Sequence, residues 1–140
     1  MTSKLLRVGT NYLPVTDPKK SSEWFCSNLG AEVTYLDDGN NHAIINLANQ
    51  SFILIQSQKG ITANFQTIRD GLMFPFTFEV NGEKALLELY QQLTAKNVCV
   101  GEIEDRGHQG KNFIITDPDG NRYDVWSELS EDFKMKYPIG

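Results

Sequence analysis

Residues 112–128, NFIITDPDGNRYDVWSE, constrain this chain more than any other stretch. Asn112 to Thr116 and Arg122 to Ser127 carry the branched and aromatic residues of strands, and Asp117-Pro118-Asp119-Gly120-Asn121 between them consists of turn formers. Pro118 presets φ at the second position of a turn, Gly120 takes positive φ without a Cβ clash, and the flanking Asp and Asn can bond their own backbone. The segment is therefore a hairpin whose turn fixes the register. One face of its last strand then carries Arg122, Asp124 and Trp126, and the other carries Tyr123 and Val125. Charged groups beside an indole on one face point to a ligand wall rather than a core. Asp117, Asp119, Asn121 and Glu128 also match positions 1, 3, 5 and 12 of an EF-hand loop, but position 6 is Arg122 instead of Gly and the flanks are strands, so calcium binding is set aside.

The rest of the chain reads as two rounds of one pattern. Val8 to Val15 is a strand, Asp17 caps a helix with Pro18 at its first position, and Gly30 stops that helix after Leu29. Strands follow at 31–36, 42–47 and 51–56, with a turn at 37–40. Residues 58–72 are polar and read as a linker with a helical turn or a mobile flap. A strand over 74–80 then leads to a helix from about Gly82 to Lys96, capped by Asn81, with Leu86, Leu89, Tyr90 and Leu93 at i, i+3, i+4 and i+7. Val98 to Val100 begins a strand, 102–111 is a charged loop, the hairpin closes the second round, and 129–140 is a tail. An offset of 65 carries both Val15 to Val80 and Phe25 to Tyr90, and an offset of 71 carries the strand 51–56 onto 122–127. The expectation is an α+β fold of two β-α-β-β-β modules, 8–57 and 73–128, in one domain spanning 1–140; each module alone is too small to bury its sheet well.

Composition narrows the function classes. With 140 residues, 40% apolar and 22% charged, the chain is ordinary for a soluble globular domain. Its net charge of −5 and scattered basic residues argue against a nucleic-acid partner. No signal peptide is read at the N-terminus and no apolar run reaches the length of a membrane span, so a cytoplasmic protein with no membrane partner is expected. Cys26 and Cys99 have neither metal nor redox spacing and read as free thiols.

The paired modules, the run from Val15 to Gly30 of the form Val-x-Asp-Pro-x-x-Ser-x-x-x-Phe-x-x-x-Leu-Gly, and the terminal Asp-Pro-Asp-Gly-Asn hairpin resemble the vicinal oxygen chelate superfamily. That family holds glyoxalase I, extradiol dioxygenases, fosfomycin-modifying enzymes and bleomycin-binding resistance proteins. The resemblance implies strands curled as a mixed sheet around a central cleft, helices outside, and a homodimer. In metal-dependent members it implies ligands at positions that correspond here to Thr10, Ile53, Pro75 and Asp124. Of these only Asp124 is a competent ligand, and a divalent site would need about three protein groups. His42, at a strand start, and His108, in a loop, occupy no matched position; Cys26 beside Phe25 reads as a buried thiol.

Without a metal or other cofactor, the cleft is expected to bind a small molecule. Its facing set by strand parity is Thr10 and Tyr12, then Ser51, Ile53 and Ile55, then Thr77 and Glu79, and finally Arg122, Asp124 and Trp126. Trp126 and Tyr12 would stack on a planar, antibiotic-like ligand, while Asp124 and Glu79 would favour a cation. A blander alternative pairs Arg122 with Asp124 and leaves Trp126 to packing. Two further readings are a metal-dependent lyase, dioxygenase or thiol transferase built around Asp124, and a regulatory domain with a vestigial cleft.

Overall fold

The structure, a computed structural model, describes residues 4–136, so the last four residues of the expected tail lie outside the described residues. The chain divides into two compact units, 1–62 and 63–140. The second begins ahead of the expected module boundary at 73.

In the first unit the order is β1 (Thr10–Val15), α1 (Pro18–Leu29), β2 (Glu32–Leu36), β3 (His42–Leu47) and β4 (Gln50–Gln56). The Asp17 side chain accepts a hydrogen bond from Lys20 N–H at the helix start, and Gly30 ends the helix at φ 74°. The sheet order is β1-β4-β3-β2, with β1 parallel to β4 and the other pairs antiparallel. Period-two alternation sends Leu13, Val15, Ala43, Ile45, Phe52 and Leu54 into the core, and α1, which packs on this sheet, adds Phe25. Thr10, Tyr12 and Ile53 lie on the opposite face, where Tyr12 pairs with Ile53 across the parallel ladder. His42 opens β3 and its ring lies 5.5 Å from that of Tyr35.

The second unit repeats this order. It contains β5 (Phe65–Gln66), β6 (Leu72–Met73), β7 (Thr77–Glu79), α2 (Glu83–Ala95), β8 (Cys99–Val100), β9 (Asn112–Thr116), β10 (Arg122–Trp126) and α3 (Glu131–Lys136). Its main sheet runs β7-β10-β9-β8, with β7 parallel to β10. Thr77 pairs with Asp124 here as Tyr12 pairs with Ile53 in the first unit, so the offsets of 65 and 71 read from the sequence carry one ladder pair onto the other. Phe113, Ile115, Tyr123, Val125, Leu86 and Leu93 form the core, and Tyr90 meets Phe113 edge to face at 5.1 Å.

Two elements differ from expectation. The helix α2 is capped at Gly82, with no side-chain cap bond, rather than at Asn81; the Gly82 N–H is drawn to the Ser127 carbonyl at 2.9 Å, and that tertiary bond sets the helix start. Where a helical turn or flap was expected, β5 and β6 form a two-stranded ribbon, preceded by a clamp on the hairpin turn. Asn64 donates to the Gly120 carbonyl and accepts from Arg122 N–H, while Ala63 N–H donates to Asn121 Oδ1.

The turn itself is built on the buried Asp117 carboxylate. It accepts from Asp119 N–H, Asn121 N–H, Asn121 Nδ2 and the Tyr123 hydroxyl, the last at 2.7 Å. Burial pushes the Asp117 carboxyl above its ordinary range despite these donors. Burial, with the Asp117 charge, raises the Tyr123 phenol well above its usual value. The raised phenol means that its contribution is complete below about pH 10 and is lost as pH rises toward the folded value. Tyr123→Phe should therefore lower unfolding free energy in urea by about 1.5–3 kcal/mol at neutral pH. The gap between parent and variant should narrow only above about pH 10.

Candidate functional site

The face of β10 opposite the core forms the floor of an open recess of about 450 Å³, lined by Phe74, Thr77, Glu79, Arg106, His108, Asn112, Asp124 and Trp126. All eight residues belong to the second unit. Strand alternation explains five of the eight: Asp124 and Trp126 are two apart on β10, Thr77 and Glu79 stand beside them on β7, and Asn112 pairs with Trp126 from β9.

Asp124 is 2% exposed although it carries a charge. Its Oδ2 accepts from Thr77 Oγ1 and from Asn112 Nδ2, each at 2.9 Å. Its Oδ1 lies 3.0 Å from Arg106 Nη2 as an ion pair, without the alignment of a hydrogen bond. Arg106 also pairs with Glu104 at 3.2 Å and sits over the Phe74 ring, 5.9 Å from its centroid. Partial burial works against the Arg106 charge, but the Glu104 hydrogen bond and the Asp124 charge outweigh it and hold the guanidinium pKa above its ordinary value. At the other side of the recess, Glu79 accepts from the backbone and hydroxyl of Ser130.

The 102–111 loop is pinned to the end of β10. Trp126 Nε1–H donates to the Gln109 carbonyl at 2.9 Å, Lys111 N–H donates to Ser127 Oγ, and Ser127 N–H donates to the Lys111 carbonyl. His108 meets the Trp126 ring edge to face at 5.8 Å. Gly110 makes this approach possible: at φ 82°, a Cβ there would fall 2.5 Å from Ser127 Oγ and 3.0 Å from Trp126 Nε1.

The profile of the Glyoxalase/Bleomycin resistance protein/Dioxygenase superfamily matches residues 4–125. The chain belongs to this superfamily. Among solved structures, the superfamily fold is shared with a lactoylglutathione lyase from Agrobacterium tumefaciens at TM-score 0.69 and 15% identity, covering 89% of this chain and 96% of that one. It is shared also with the fosfomycin resistance protein FosX from Listeria monocytogenes, complexed with Mn(II) and sulfate, at TM-score 0.70 and 14% identity, covering 95% and 98%. A third is a glyoxalase/bleomycin resistance protein/dioxygenase from Alicyclobacillus acidocaldarius, at TM-score 0.66 and 11% identity, covering 90% and 94%. Among curated proteins none matches the chain in sequence.

Within this superfamily chain, the sequence-derived residues divide cleanly. Thr77, Glu79, Asp124 and Trp126 come together on the recess; Thr10, Tyr12 and Ile53 belong to the first unit. Arg122 shares the strand face but does not line the recess, because its Nη1 donates to the Leu72 carbonyl at 2.9 Å. The alternative pairing of Arg122 with Asp124 is corrected by the same geometry: the partner of Asp124 is Arg106. Phe74, Arg106, His108 and Asn112 were missed; Asn112 was within reach, because the hairpin register pairs it with Trp126 on the same face, while for Arg106 and His108 the signal was the charge and glycine content of their loop. Among the described residues, no three His, Cys, Asp or Glu side chains converge as metal ligands. No helix among them is long and apolar enough to cross a membrane.

Gly110→Ala should strain the backbone by about 1–2 kcal/mol from positive φ alone, with the Ser127 clash in addition. The variant should melt at lower temperature, and its Trp126 indole N–H resonance should lose the shift and exchange protection conferred by the Gln109 carbonyl.

Proposed function

We propose that the protein binds a small organic molecule, planar or cationic and of antibiotic-like size, in the recess of the second unit, without a resident metal ion. The observation that carries this reading is the indole of Trp126, fixed by the Gln109 carbonyl and the His108 edge, beside a buried carboxylate. A rigid aromatic wall with a few placed polar groups is the usual lining of a small-molecule site. Phe74 adds a second aromatic surface, and the carboxylates of Glu79 and Asp124 outnumber the one guanidinium, Arg106, on the recess, which favours a cationic ligand. The likeness in fold to FosX, named as a fosfomycin resistance protein, supports a ligand of drug size. The superfamily resemblance adds a homodimer to the proposal, and the cytoplasmic setting expected from the sequence is kept with it.

The donor set does not fit a divalent cation. Asp124 is the competent ligand at the family-matched positions, and a guanidinium already stands 3.0 Å from its free oxygen. Thr10, Ile53 and Pro75 at the other positions supply at most one weak ligand. The metal-dependent lyase or dioxygenase reading therefore lacks a first coordination sphere. Protein purified without chelator should hold well under one equivalent of Mn, Fe, Ni or Zn by mass spectrometry, and a stoichiometric ion lost on Asp124→Asn would overturn this part of the proposal.

Ligand binding is read by thermal shift with a panel of planar drugs and metabolites, since a ligand selective for the folded state raises the melting temperature. Indole emission in a Trp24→Phe background isolates Trp126. Trp126→Ala should weaken each hit by roughly five- to a hundred-fold. Hits bound as tightly by the variant as by the parent would remove the recess from consideration.

A further inference from the structure

Two residues that line the recess, Asn112 and Asp124, carry buried Oδ1 atoms that receive no aligned hydrogen bond; Asp124 Oδ1 meets only the ion pair with Arg106. Both residues are 2% exposed. Chemistry fixes the orientation of the Asn112 amide, because the carboxylate oxygen facing it only accepts and must therefore meet Nδ2, which turns Oδ1 away as an open acceptor. Buried acceptors without donors are rare in folded proteins and mark a place where a partner is expected.

The group that stands against Asp124 Oδ1 is Arg106. Its Nη2 reaches Asp124 Oδ1 at 3.0 Å without hydrogen-bond alignment, its side chain is 27% exposed, and it hangs from a loop whose next residue, Gly107, has φ 86°. Its remaining neighbours, Glu104 and the face of Phe74, would attract any cation placed there. We propose that Arg106 is a built-in occupant of a cation subsite, its guanidinium filling the place that the planar cationic end of a ligand takes by displacing it. The inference rests on the recess being a small-molecule site, as proposed above.

The surroundings select a cation over an anion. An anion approaching Arg106 meets the carboxylates of Asp124 and Glu104, with Glu79 also on the recess wall. Once Arg106 swings out, Asp124 keeps only its bonds from Thr77 and Asn112, and a buried charge so exposed to loss of its partner demands another cation. An amidinium or guanidinium brings parallel N–H donors in one plane, suited to the carboxylate that Arg106 leaves. In the unaltered protein the ligand competes with Arg106, so its apparent affinity falls by the fraction of molecules in which the subsite is open.

The test compares benzamidinium, benzamide and benzoate on the parent and on Arg106→Ala, by calorimetry and by side-chain NMR. Removing the competitor should tighten benzamidinium by about tenfold or more, leave benzamide within about threefold and give benzoate no gain. Free guanidinium at low millimolar concentration should raise the melting temperature of Arg106→Ala and not of the parent. Should Arg106→Ala fail to fold, Arg106→Gln keeps a similar length without the charge and carries the same expectation. In the parent, benzamidinium should shift the Arg106 Nε–H and Asn112 Nδ2 resonances together. Benzamidinium bound no tighter by the variants, or benzoate preferred by the parent, overturns the inference. If neutral planar molecules bind in a Trp126-dependent way while benzamidinium gains nothing, this inference alone falls. If no probe and no member of the planar panel binds either protein, the ligand-binding reading falls and takes it along.

Discussion

The carboxylate of Asp117 is the interaction on which the second unit depends. A buried acid that accepts from two backbone amides, an Asn side chain and a phenol closes the hairpin turn and ties it to the strand beyond. The turn fixes the register of β9 against β10, and in a strand a slip of one residue would exchange the two faces. With the register set, Tyr123 and Val125 enter the core and Asp124 and Trp126 emerge on the other side. The wall of the recess is thus a consequence of how one turn satisfies its hydrogen bonds.

A second constraint operates at the far end of β10. There Gly110 allows the charged loop to lie against Ser127 and Trp126, closer than any residue with a side chain could come. Paired backbone and hydroxyl bonds between Lys111 and Ser127 hold the approach. The loop therefore delivers Arg106 and His108 to the recess beside β10, and it turns a strand face into a lined pocket. Hydrogen bonds between the 63–64 segment and the hairpin turn add the ribbon that engages Arg122.

These two constraints leave an unusual electrostatic balance. Asp124 receives two hydrogen bonds on one oxygen and a guanidinium on the other, so its charge is compensated within the protein. The compensation is one-sided, because Arg106 is partly exposed and loop-borne while Asp124 is buried on a central strand. Within a superfamily whose relatives include an Mn(II) complex, this chain places a side-chain cation against the carboxylate of its last strand.

What the sequence determined by itself was the set of features governed by short-range chemistry. The turn at 117–121, the cap at Asp17, the stop at Gly30, the apolar stripe of α2 and the two-residue alternation along β10 follow from local dihedral preferences and from periodicity. The same alternation brought Thr77, Glu79, Asp124 and Trp126 to one face, and the repeated offsets survived as equivalent ladder pairs. Tertiary structure alone decided which partners the charged groups of β10 found. Arg122 and Asp124, two apart on one face, read locally as a pair, yet a carbonyl on β6 took Arg122 and a loop residue took Asp124. Asn81 was the better local cap, yet the bond from Gly82 to Ser127 placed the helix start one residue later. Phe74, Arg106 and His108 reached the recess through irregular segments, where no periodicity connects sequence position to direction. Their placement depends on which long-range hydrogen bonds close, and those are settled only when the chain has packed.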